Sequence, residues 1–243
     1  MLLSRIDAED NGTGTGYPPT ADNGTMSTTI RRAGGRPTKK QADTINERLL
    51  DCARSTFARK GIAKASLEEI AVELGVSKHT IYRRYSSKPA LLDAVVQRDL
   101  IRFHGALIQA ATGSVDPLLA LRNVALRYFL FGADPEYSAF YLSVVAEAVC
   151  SASLRENLAA WSRIALEPLQ QAIVSVQATD AIVPGDAAEI CSILVDLLEG
   201  ANNRVRIGVF GSPDEIESLK LFENRWSIFL RAMTSARSSQ CNP

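Results

Sequence analysis

The segment from Ser66 to Lys88 constrains the fold of this 243-residue chain more tightly than any other part of the sequence. Ser66 and Glu69 have the spacing of a capping box, in which a hydroxyl and a carboxylate satisfy free amides at the start of a helix. An apolar stripe with helical spacing follows, and Gly75 stands where a left-handed residue readily ends a helix. Ser77 is placed to cap a second helix. The segment therefore predicts two short helices joined by a tight turn.

The same segment has the spacing of a helix-turn-helix. Ala71 is small enough for the two helices to touch, Gly75 makes the turn, and Ile81 seals the second helix onto the first. Outward positions of the second helix carry groups that suit phosphates and base edges in a major groove. These outward residues are Lys78, His79, Thr80, Tyr82, Arg83 and Arg84. We predict that this surface binds DNA; the alternative is an ordinary solvated helical hairpin.

The flanking sequence adds a third helix and a basic arm. A four-residue apolar repeat predicts a helix from about Ala42 to Lys60, ended by Gly61. The basic, glycine-rich stretch over residues 31–40 is not expected to fold alone. Its Arg36 lies in a Gly-Arg-Pro sequence, a slender shape that suits a minor groove. A plain disordered tail remains an alternative for this stretch.

Motifs at fixed spacing now extend over about residues 42–95. They are Phe57-x-x-x-Gly61, Ser66-Leu67-x-x-Ile70-Ala71, Gly75-Val76-Ser77-Lys78-x-Thr80-Ile81-Tyr82 and Tyr85-x-x-Lys88-x-x-Leu91. This pattern resembles the DNA-binding domain of the TetR (tetracycline repressor-like) family. The resemblance implies an all-helical fold, a homodimer on a palindromic double-stranded DNA operator, and a variable C-terminal domain that senses a small molecule.

The resemblance also assigns DNA contacts by motif position. Lys78, His79 and Thr80 would face base edges, while Lys88 and Ser66 would each hold a phosphate. The remaining residues expected to contact DNA are Arg36, Ser77, Tyr82, Arg83, Arg84 and Tyr85.

Two positions depart from the family pattern. His79 stands where the family usually has glycine or another small residue, and Tyr85 replaces the usual phenylalanine. A bulky His79 should change which bases the helix approaches, so no operator sequence is transferred from relatives. We expect Tyr85 to preserve the aromatic packing and to be available for a phosphate hydrogen bond.

The distribution of charge supports a localised DNA-binding surface. The chain has 27 basic and 27 acidic residues, but residues 31–88 hold 14 basic against 6 acidic residues. Residues 1–30 have a net charge of −3 and residues 89–243 a net charge of −5. A cationic surface confined to one region is the electrostatic footprint of a nucleic-acid-binding domain. An anionic membrane is a weaker alternative, because the basic residues are interleaved with caps and a turn.

The length of the chain leaves room for a small head and a larger second domain. We expect a disordered tail over residues 1–40 that includes the arm at 31–40. A helix-turn-helix domain over 41–88, a helical ligand-binding and dimerisation domain over 89–237, and a short tail over 238–243 should follow.

Composition disfavours several other classes of protein. No stretch approaches the ~18 uninterrupted apolar residues of a membrane span. The first ten residues are too short and too acidic for a secretion signal, and Met26 is an alternative start. Cys52, Cys150, Cys191 and Cys241 form no CxxC pair, so neither a disulfide framework nor a zinc site is expected. We expect a cytoplasmic protein with reduced thiols, no metal and no cofactor.

Beyond Lys88 the pattern remains helical, and we predict an all-α bundle. The expected helices cover about 88–111, 116–133, 135–150, 153–177, 187–210 and 214–236. Pro117 and Pro135 fit the first turns of two of these helices, whereas Pro168 should kink another.

The last two helices are the expected dimer interface, because two adjacent apolar helices can form a four-helix bundle with their symmetry mates. The interface residues expected are Ile193, Leu197, Phe222, Trp226 and Phe229. The alternative is that both helices simply complete the core of one chain. A cavity for an apolar or aromatic ligand is expected among the middle helices. Its candidate residues are Phe103, His104, Phe140, Glu147, Trp161 and Asn202.

These patterns favour a ligand-responsive transcriptional regulator, expected to be a homodimeric repressor released by a small apolar or aromatic molecule. An effector-independent DNA-binding protein, or an activator with the same head, would share every feature. An enzyme with an appended DNA-binding head has little support, since there is no nucleotide-binding glycine loop after a strand, metal-spacing cluster or catalytic triad pattern. We therefore expect no enzymatic activity.

Overall fold

The computed structural model describes residues 39–211 and 213–234, with side chains from residue 43 onward. Arg36, the rest of the arm before residue 39 and the tail after residue 234 lie outside the described residues. Every regular element in the described part is a helix, which confirms the all-α prediction. The helices are α1 (Lys39–Lys60), α2 (Leu67–Leu74), α3 (Lys78–Tyr82), α4 (Lys88–Ala111), α5 (Pro117–Ala133), α6 (Pro135–Cys150), α7 (Ala152–Gln177), α8 (Ala187–Arg206) and α9 (Glu215–Thr234). Among these described helices, each is too short or too polar to span a lipid bilayer.

Local signals set the ends of the short helices. The Oγ of Ser66 accepts a hydrogen bond of 3.2 Å from the backbone N–H of Glu69, so α2 has the predicted cap. The second half of the expected capping box is absent, because the Glu69 carboxylate pairs with Lys60 of α1. Gly75 ends α2 at φ 68° and ψ 31°, the left-handed conformation that favours glycine. Ser77 then caps α3 by accepting from the N–H of Thr80 at 3.2 Å.

The first three helices, which we call the head, share one hydrophobic core with the start of α4. Phe57, Ile70, Ile81 and Leu91 are fully buried in this core. The same cluster continues into α6 and the start of α7, where it includes Phe140, Val144, Ala148 and Leu154. The division expected between residues 88 and 89 therefore falls at the first residues of a helix that belongs to both cores.

A second core fills the bundle formed by α4, α5, α7, α8 and α9. Phe222 and Phe229 of α9 are fully buried there, and Trp226 is only 5% exposed. Phe222 packs on Phe129 of α5, with ring centroids 5.9 Å apart. Their assignment to the dimer interface was therefore wrong, because the apolar stripe of α9 faces the core of its own chain.

The remaining boundaries follow the sequence closely, with small differences. Asp116 and Asp134 cap α5 and α6, each ahead of a proline in the first turn, as predicted. Helix α7 continues through Pro168, whose side chain is buried. Helix α8 ends at Arg206, four residues earlier than expected.

Candidate DNA-binding surface and inner cavity

Helix α3 presents a cationic surface because its one buried residue fixes its orientation. Ile81 is fully buried against the head core, while Lys78, His79 and Arg83 are exposed and Tyr82 is 40% exposed. The hydroxyls of Ser77 and Thr80 lie 2.8 Å apart at the start of the helix. Both hydroxyls form part of the N-terminal cap of α3, and the Ser66 hydroxyl caps α2 in the same way. The exposed side chains are thus displayed on a rigid, capped element.

Lys78 has partners on both sides within the head. Its Nζ forms an ion pair with Glu68 of α2 and lies 5.4 Å from the centre of the Tyr82 ring. The hydrogen bond between the two charged groups lowers the pKa of Glu68 and raises the pKa of Lys78. The sequence did not draw attention to Glu68, which stands only as the second residue of α2. This carboxylate is the anionic partner of Lys78 in the structure.

Lys88 makes three hydrogen bonds within the head. Its Nζ donates to the backbone carbonyls of Ile62, Ala63 and Ala65 at 2.7, 2.8 and 3.1 Å. A lysine ammonium has three donors, and all three are directed at these carbonyls. The phosphate contact expected of Lys88 stays a prediction. The residue ties the first turn of α4 to the loop between α1 and α2.

Tyr85 and Arg84 both contact α1. The Tyr85 hydroxyl donates to Oδ1 of Asn46 at 2.9 Å, and its ring packs against the head core. Arg84 donates to the same oxygen at 3.3 Å through Nη1. The Tyr85 ring thus preserves the aromatic packing that was expected, and its phosphate hydrogen bond stays a prediction. Arg84 has four further donors, because a guanidinium carries five.

A cluster of charged side chains joins the head to α4, and we call it the α1–α4 ionic cluster. Arg54 Nε lies 2.7 Å from Asp99 Oδ2, and Arg98 bridges Asp51 at 2.7 Å and Asp99 at 3.2 Å. The side chains of Arg98 and Asp99 are only 9% and 10% exposed. Asp51 and Arg54 lie on α1, and Arg98 and Asp99 lie on α4, so the Arg54–Asp99 and Arg98–Asp51 pairs cross between the two helices. Arg98 and Asp51, which meet across the two helices, are 47 residues apart in sequence, so this pairing gave no recognisable pattern in the sequence.

An inner cavity of about 180 Å³ lies between α4, α5, α6, α7 and α8. Its walls are mainly aromatic and aliphatic, with a few polar groups. The lining residues are Val96, Asp99, Leu100, Phe103, Tyr128, Gly132, Tyr137, Phe140, Tyr141, Val144, Leu158, Trp161, Ser162, Ala165, Leu166, Glu199 and Arg206. Asp99 therefore belongs both to this cavity and to the α1–α4 ionic cluster.

Three of the six predicted cavity residues line this space, namely Phe103, Phe140 and Trp161. His104 instead lines an open groove between α4 and α7, with its Nε2 3.5 Å from a carboxylate oxygen of Glu167. Asn202 is fully buried behind the wall, where its Nδ2 donates to the carbonyl of Phe129 and to Glu199 at 3.4 Å.

Glu147, the last of the six, is half-buried on α6 and does not reach the cavity. The prediction that His104, Glu147 and Asn202 line this cavity was therefore wrong.

The polar end of the cavity is built by Glu199 and Arg206 of α8. Arg206 Nη1 donates to Oε2 of Glu199 at 2.8 Å, and Nη2 donates to the carbonyl of Gly132 at 2.9 Å. Arg206 Nε also donates to Ser138 at 3.1 Å. Tyr128 donates to the other oxygen of Glu199 at 3.3 Å. This guanidinium, whose side chain is only 4% exposed, joins α5, α6 and α8.

Three tyrosines line the cavity as neutral phenols. Burial is the main reason that the pKa of Tyr128, Tyr137 and Tyr141 is raised, and the charge of Glu199 raises each further. Tyr128 uses its hydroxyl on Glu199. Tyr137 and Tyr141 make ring contacts, and among the described residues their hydroxyls have no hydrogen-bond partner.

The outer face of α8 and α9 is the remaining apolar surface of interest. Ile193 and Ile228 are each 47% exposed and Ile216 is 63% exposed. Leu197 is half-buried and lines an open groove between the two helices together with Ile228. Two of the five residues expected at an interface, Ile193 and Leu197, are therefore on an outward face.

Comparisons with known proteins identify the head. Residues 49–95 match the family model described as bacterial regulatory proteins, tetR family. The HTH-type transcriptional regulator TtgR of Pseudomonas putida is 30% identical over 96 residues, which cover 39% of this chain and 45% of that protein. The HTH-type transcriptional activator FasR of Mycolicibacterium smegmatis is 34% identical over 103 residues, which cover 42% and 47%. These matches span less than half the length of each curated relative.

The fold beyond the head is also similar to a solved structure. The transcriptional regulator FadR from Bacillus subtilis, in complex with stearoyl-CoA, superposes with a TM-score of 0.63. The match covers 77% of this chain and 99% of that chain at 14% sequence identity. At this identity the likeness establishes the fold alone.

Proposed function

The chain belongs, by its DNA-binding domain, to the TetR family of bacterial regulatory proteins, and on that premise we propose that it is a transcriptional regulator whose DNA binding responds to a small molecule. In this proposal a homodimer represses transcription from a palindromic operator. A small apolar or aromatic effector in the inner cavity releases it.

One observation carries the DNA-binding part of the proposal. The exposed face of α3 holds Lys78, His79 and Arg83 on a helix that Ile81 and the Ser77 cap fix against the head. Because the helix is already fixed, its cationic side chains can contact phosphates and base edges with little further loss of conformational entropy in the rest of the head. In a dimer, two such helices would enter successive major grooves about 34–36 Å apart.

Helix α4 is the element that can couple the cavity to the head. Its residues Val96, Leu100 and Phe103 line the cavity, while Leu91 lies in the head core. Lys88 fixes the first turn of the same helix to the loop after α1. An occupant that displaces α4 would therefore displace the head with it, and so change the spacing of the two recognition helices. Moving such an equilibrium from 1:99 to 99:1 requires a preference of about 10⁴ for one state.

The outer face of α8 and α9 is the surface we propose for dimerisation. Ile193 of α8 and Ile228 of α9 are each 47% exposed, and Leu197 and Ile228 line the groove between these two adjacent helices. A two-fold axis beside these helices would bring four helices together and cover these residues on both chains.

A titration of DNA binding tests the central claim. We expect the full chain to retain duplexes that have been enriched from a random-sequence pool, in a gel-shift assay. Lys78→Ala and Tyr82→Ala should weaken retention, whereas Arg127→Ala, which removes an exposed cation from α5, should not. A dimer that touches about ten phosphates should show a salt slope of about −9 in a plot of log K against log salt concentration. A flat salt response, or equal retention by all three variants, would contradict the proposal.

An activator is the second candidate function. The relative FasR, which is described as a transcriptional activator, is 34% identical to this chain over 103 residues. Repression and activation use the same head and differ in where the operator lies relative to a promoter. A reporter gene placed behind the enriched operator distinguishes the two: a repressor lowers transcription when the chain is expressed, and an activator raises it.

A further inference from the structure

The size, charge and wall chemistry of the inner cavity restrict what it can hold. We propose that its ligand is an uncharged compound with a single aromatic ring and one or two hydrogen-bonding oxygens. This inference rests on the proposed function in one respect, namely that the occupant of this cavity is the effector.

Cavity volume sets the size of the ligand. An apolar protein cavity of about 150 Å³ holds benzene, which has six carbons. At the same ratio, a cavity of about 180 Å³ holds roughly seven carbon-sized atoms. A ring with one short substituent fits this space, whereas the eighteen-carbon chain of a stearoyl group does not fit without rearrangement of the walls.

The walls favour a planar ring. The Tyr137 ring is nearly parallel to those of Phe103 and Tyr141, at interplanar angles of 19° and 10° and centroid distances of 6.4 and 6.2 Å. Phe140 and Trp161 also line the cavity. Flat faces of this kind contact an aromatic ring through offset or edge-to-face arrangements that a saturated ring cannot make.

The charges in the wall are already paired. Asp99 is bound to Arg54 and Arg98, and Glu199 is bound to Arg206. A charged ligand would bring an uncompensated charge into a largely buried site, which is strongly unfavourable. An uncharged ligand avoids this penalty.

Two phenol hydroxyls of the lining residues are available to orient the ligand. Tyr137 and Tyr141 keep their protons at neutral pH, because a phenol has a pKa of about 10 and burial raises the pKa of both further. Among the described residues neither hydroxyl has a partner. Each can donate to, or accept from, an oxygen on the ligand, which explains why one or two such oxygens belong to the proposed class.

Calorimetric titration of the full chain, without DNA, tests this assignment with a matched set of small probes. Benzyl alcohol should bind once per chain. Cyclohexylmethanol, which has the same substituent on a saturated ring, should bind about fivefold more weakly. Benzoate and benzylammonium should bind at least about 100-fold more weakly than benzyl alcohol, because each carries a charge.

Single substitutions locate the site and control for general effects. Tyr137→Phe and Tyr141→Phe each keep the ring and should weaken benzyl alcohol binding about fivefold by removing one hydrogen bond. Ser143→Ala removes a hydroxyl from the same helix, where it donates to the carbonyl of Ala139, and should leave the affinity unchanged. Thermal unfolding of each variant checks that it folds.

Several results would overturn the assignment. These are a charged probe that binds as tightly as benzyl alcohol, stearoyl-CoA binding in preference to it, or no benzyl alcohol binding up to its solubility. Equal affinities for the tyrosine variants and the Ser143→Ala control would have the same force. Gel shifts with the enriched operator are read separately. Binding of benzyl alcohol without release of DNA would leave the ligand class intact and refute the effector role in the proposed function.

Discussion

Asp99 offers the sharpest test of how the head is joined to the rest of the chain. Asp99→Asn keeps the shape of the side chain and removes the negative charge that faces Arg54 and Arg98. The side chains of Asp99, Arg54 and Arg98 are 10%, 20% and 9% exposed, so solvent screens the pairs only weakly. Removing one partner of a buried ion pair costs about 3–5 kcal/mol.

The expected cost lies at the lower end of that range. Arg98 keeps Asp51 at 2.7 Å, and Arg54 keeps an exposed carboxylate of Glu136 at 3.4 Å. We therefore expect Asp99→Asn to lower the free energy of unfolding by about 3 kcal/mol. This is a large part of the roughly 5–15 kcal/mol that stabilises a typical domain.

A matched control lies one turn further along α4. Arg102 pairs with Glu47 of α1 at 2.8 Å and with Asp51 of the cluster at 3.8 Å, but all three side chains are at least half exposed. Arg102→Gln should cost at most about 1 kcal/mol, as exposed pairs do. Urea unfolding followed by circular dichroism, at one fixed protein concentration, measures both changes. If Asp99→Asn costs no more than Arg102→Gln, the cluster contributes no more than a surface ion pair and our reasoning is refuted.

Three further outcomes follow from close packing and burial. Gly132→Ala would place a methyl carbon in steric clash with the buried Asn202 side-chain nitrogen, so the variant should lose about 1–3 kcal/mol of stability, and an unchanged melting temperature would contradict this contact. Phe222→Ala should lower the free energy of unfolding by about 3–5 kcal/mol, because Phe222 is fully buried in the core of its own chain. Ile193→Asp should shift sedimentation equilibrium toward monomer with a smaller change in stability. If Phe222→Ala instead produced monomer with little loss of stability, Phe222 would belong to the interface. Burial raises the pKa of Cys191 to about 12, so at pH 8 only about one thiol in 10⁴ is ionised. Mass spectrometry after iodoacetamide should therefore find Cys191 unmodified until denaturant is added, and rapid alkylation of the folded chain would refute its burial.

The head could be predicted from sequence because its signals are local. A hydroxyl cap at Ser66, a left-handed residue at Gly75 and an apolar Ile81 specify two helices and a turn within sixteen residues. What these residues meet at longer range depends on tertiary geometry. The three carbonyls that accept from Lys88 lie 23 to 26 residues away. Every residue has a backbone carbonyl, so the amino-acid sequence does not indicate which carbonyls a lysine will contact.

The interface and the cavity were predicted less well for a related reason. An apolar stripe shows that one face of a helix is buried but does not show what covers it. Phe222 and Trp226 therefore looked equally suited to a partner chain and to their own core. The same ambiguity applies to the cavity. Phe103 and Phe140 each lie at the helical spacing of ordinary core residues, so the sequence does not show that they line a cavity. Its polar end comes from Arg206, whose inward position depends on how α8 packs against two other helices.

The bonds made by Lys88 have a practical consequence for anyone who builds chimaeric regulators from this chain. A splice between residues 88 and 89 would transplant the ammonium and its three carbonyls but would leave Leu91, Leu92 and Val95, which fill the head core, with the donor protein. A junction after Val95 moves the lysine and this part of its hydrophobic support together. To transfer the proposed DNA-binding function, the exchanged segment should therefore be the three-helix head with the first two turns of α4, and the recipient must supply a compatible surface where Phe140 now packs.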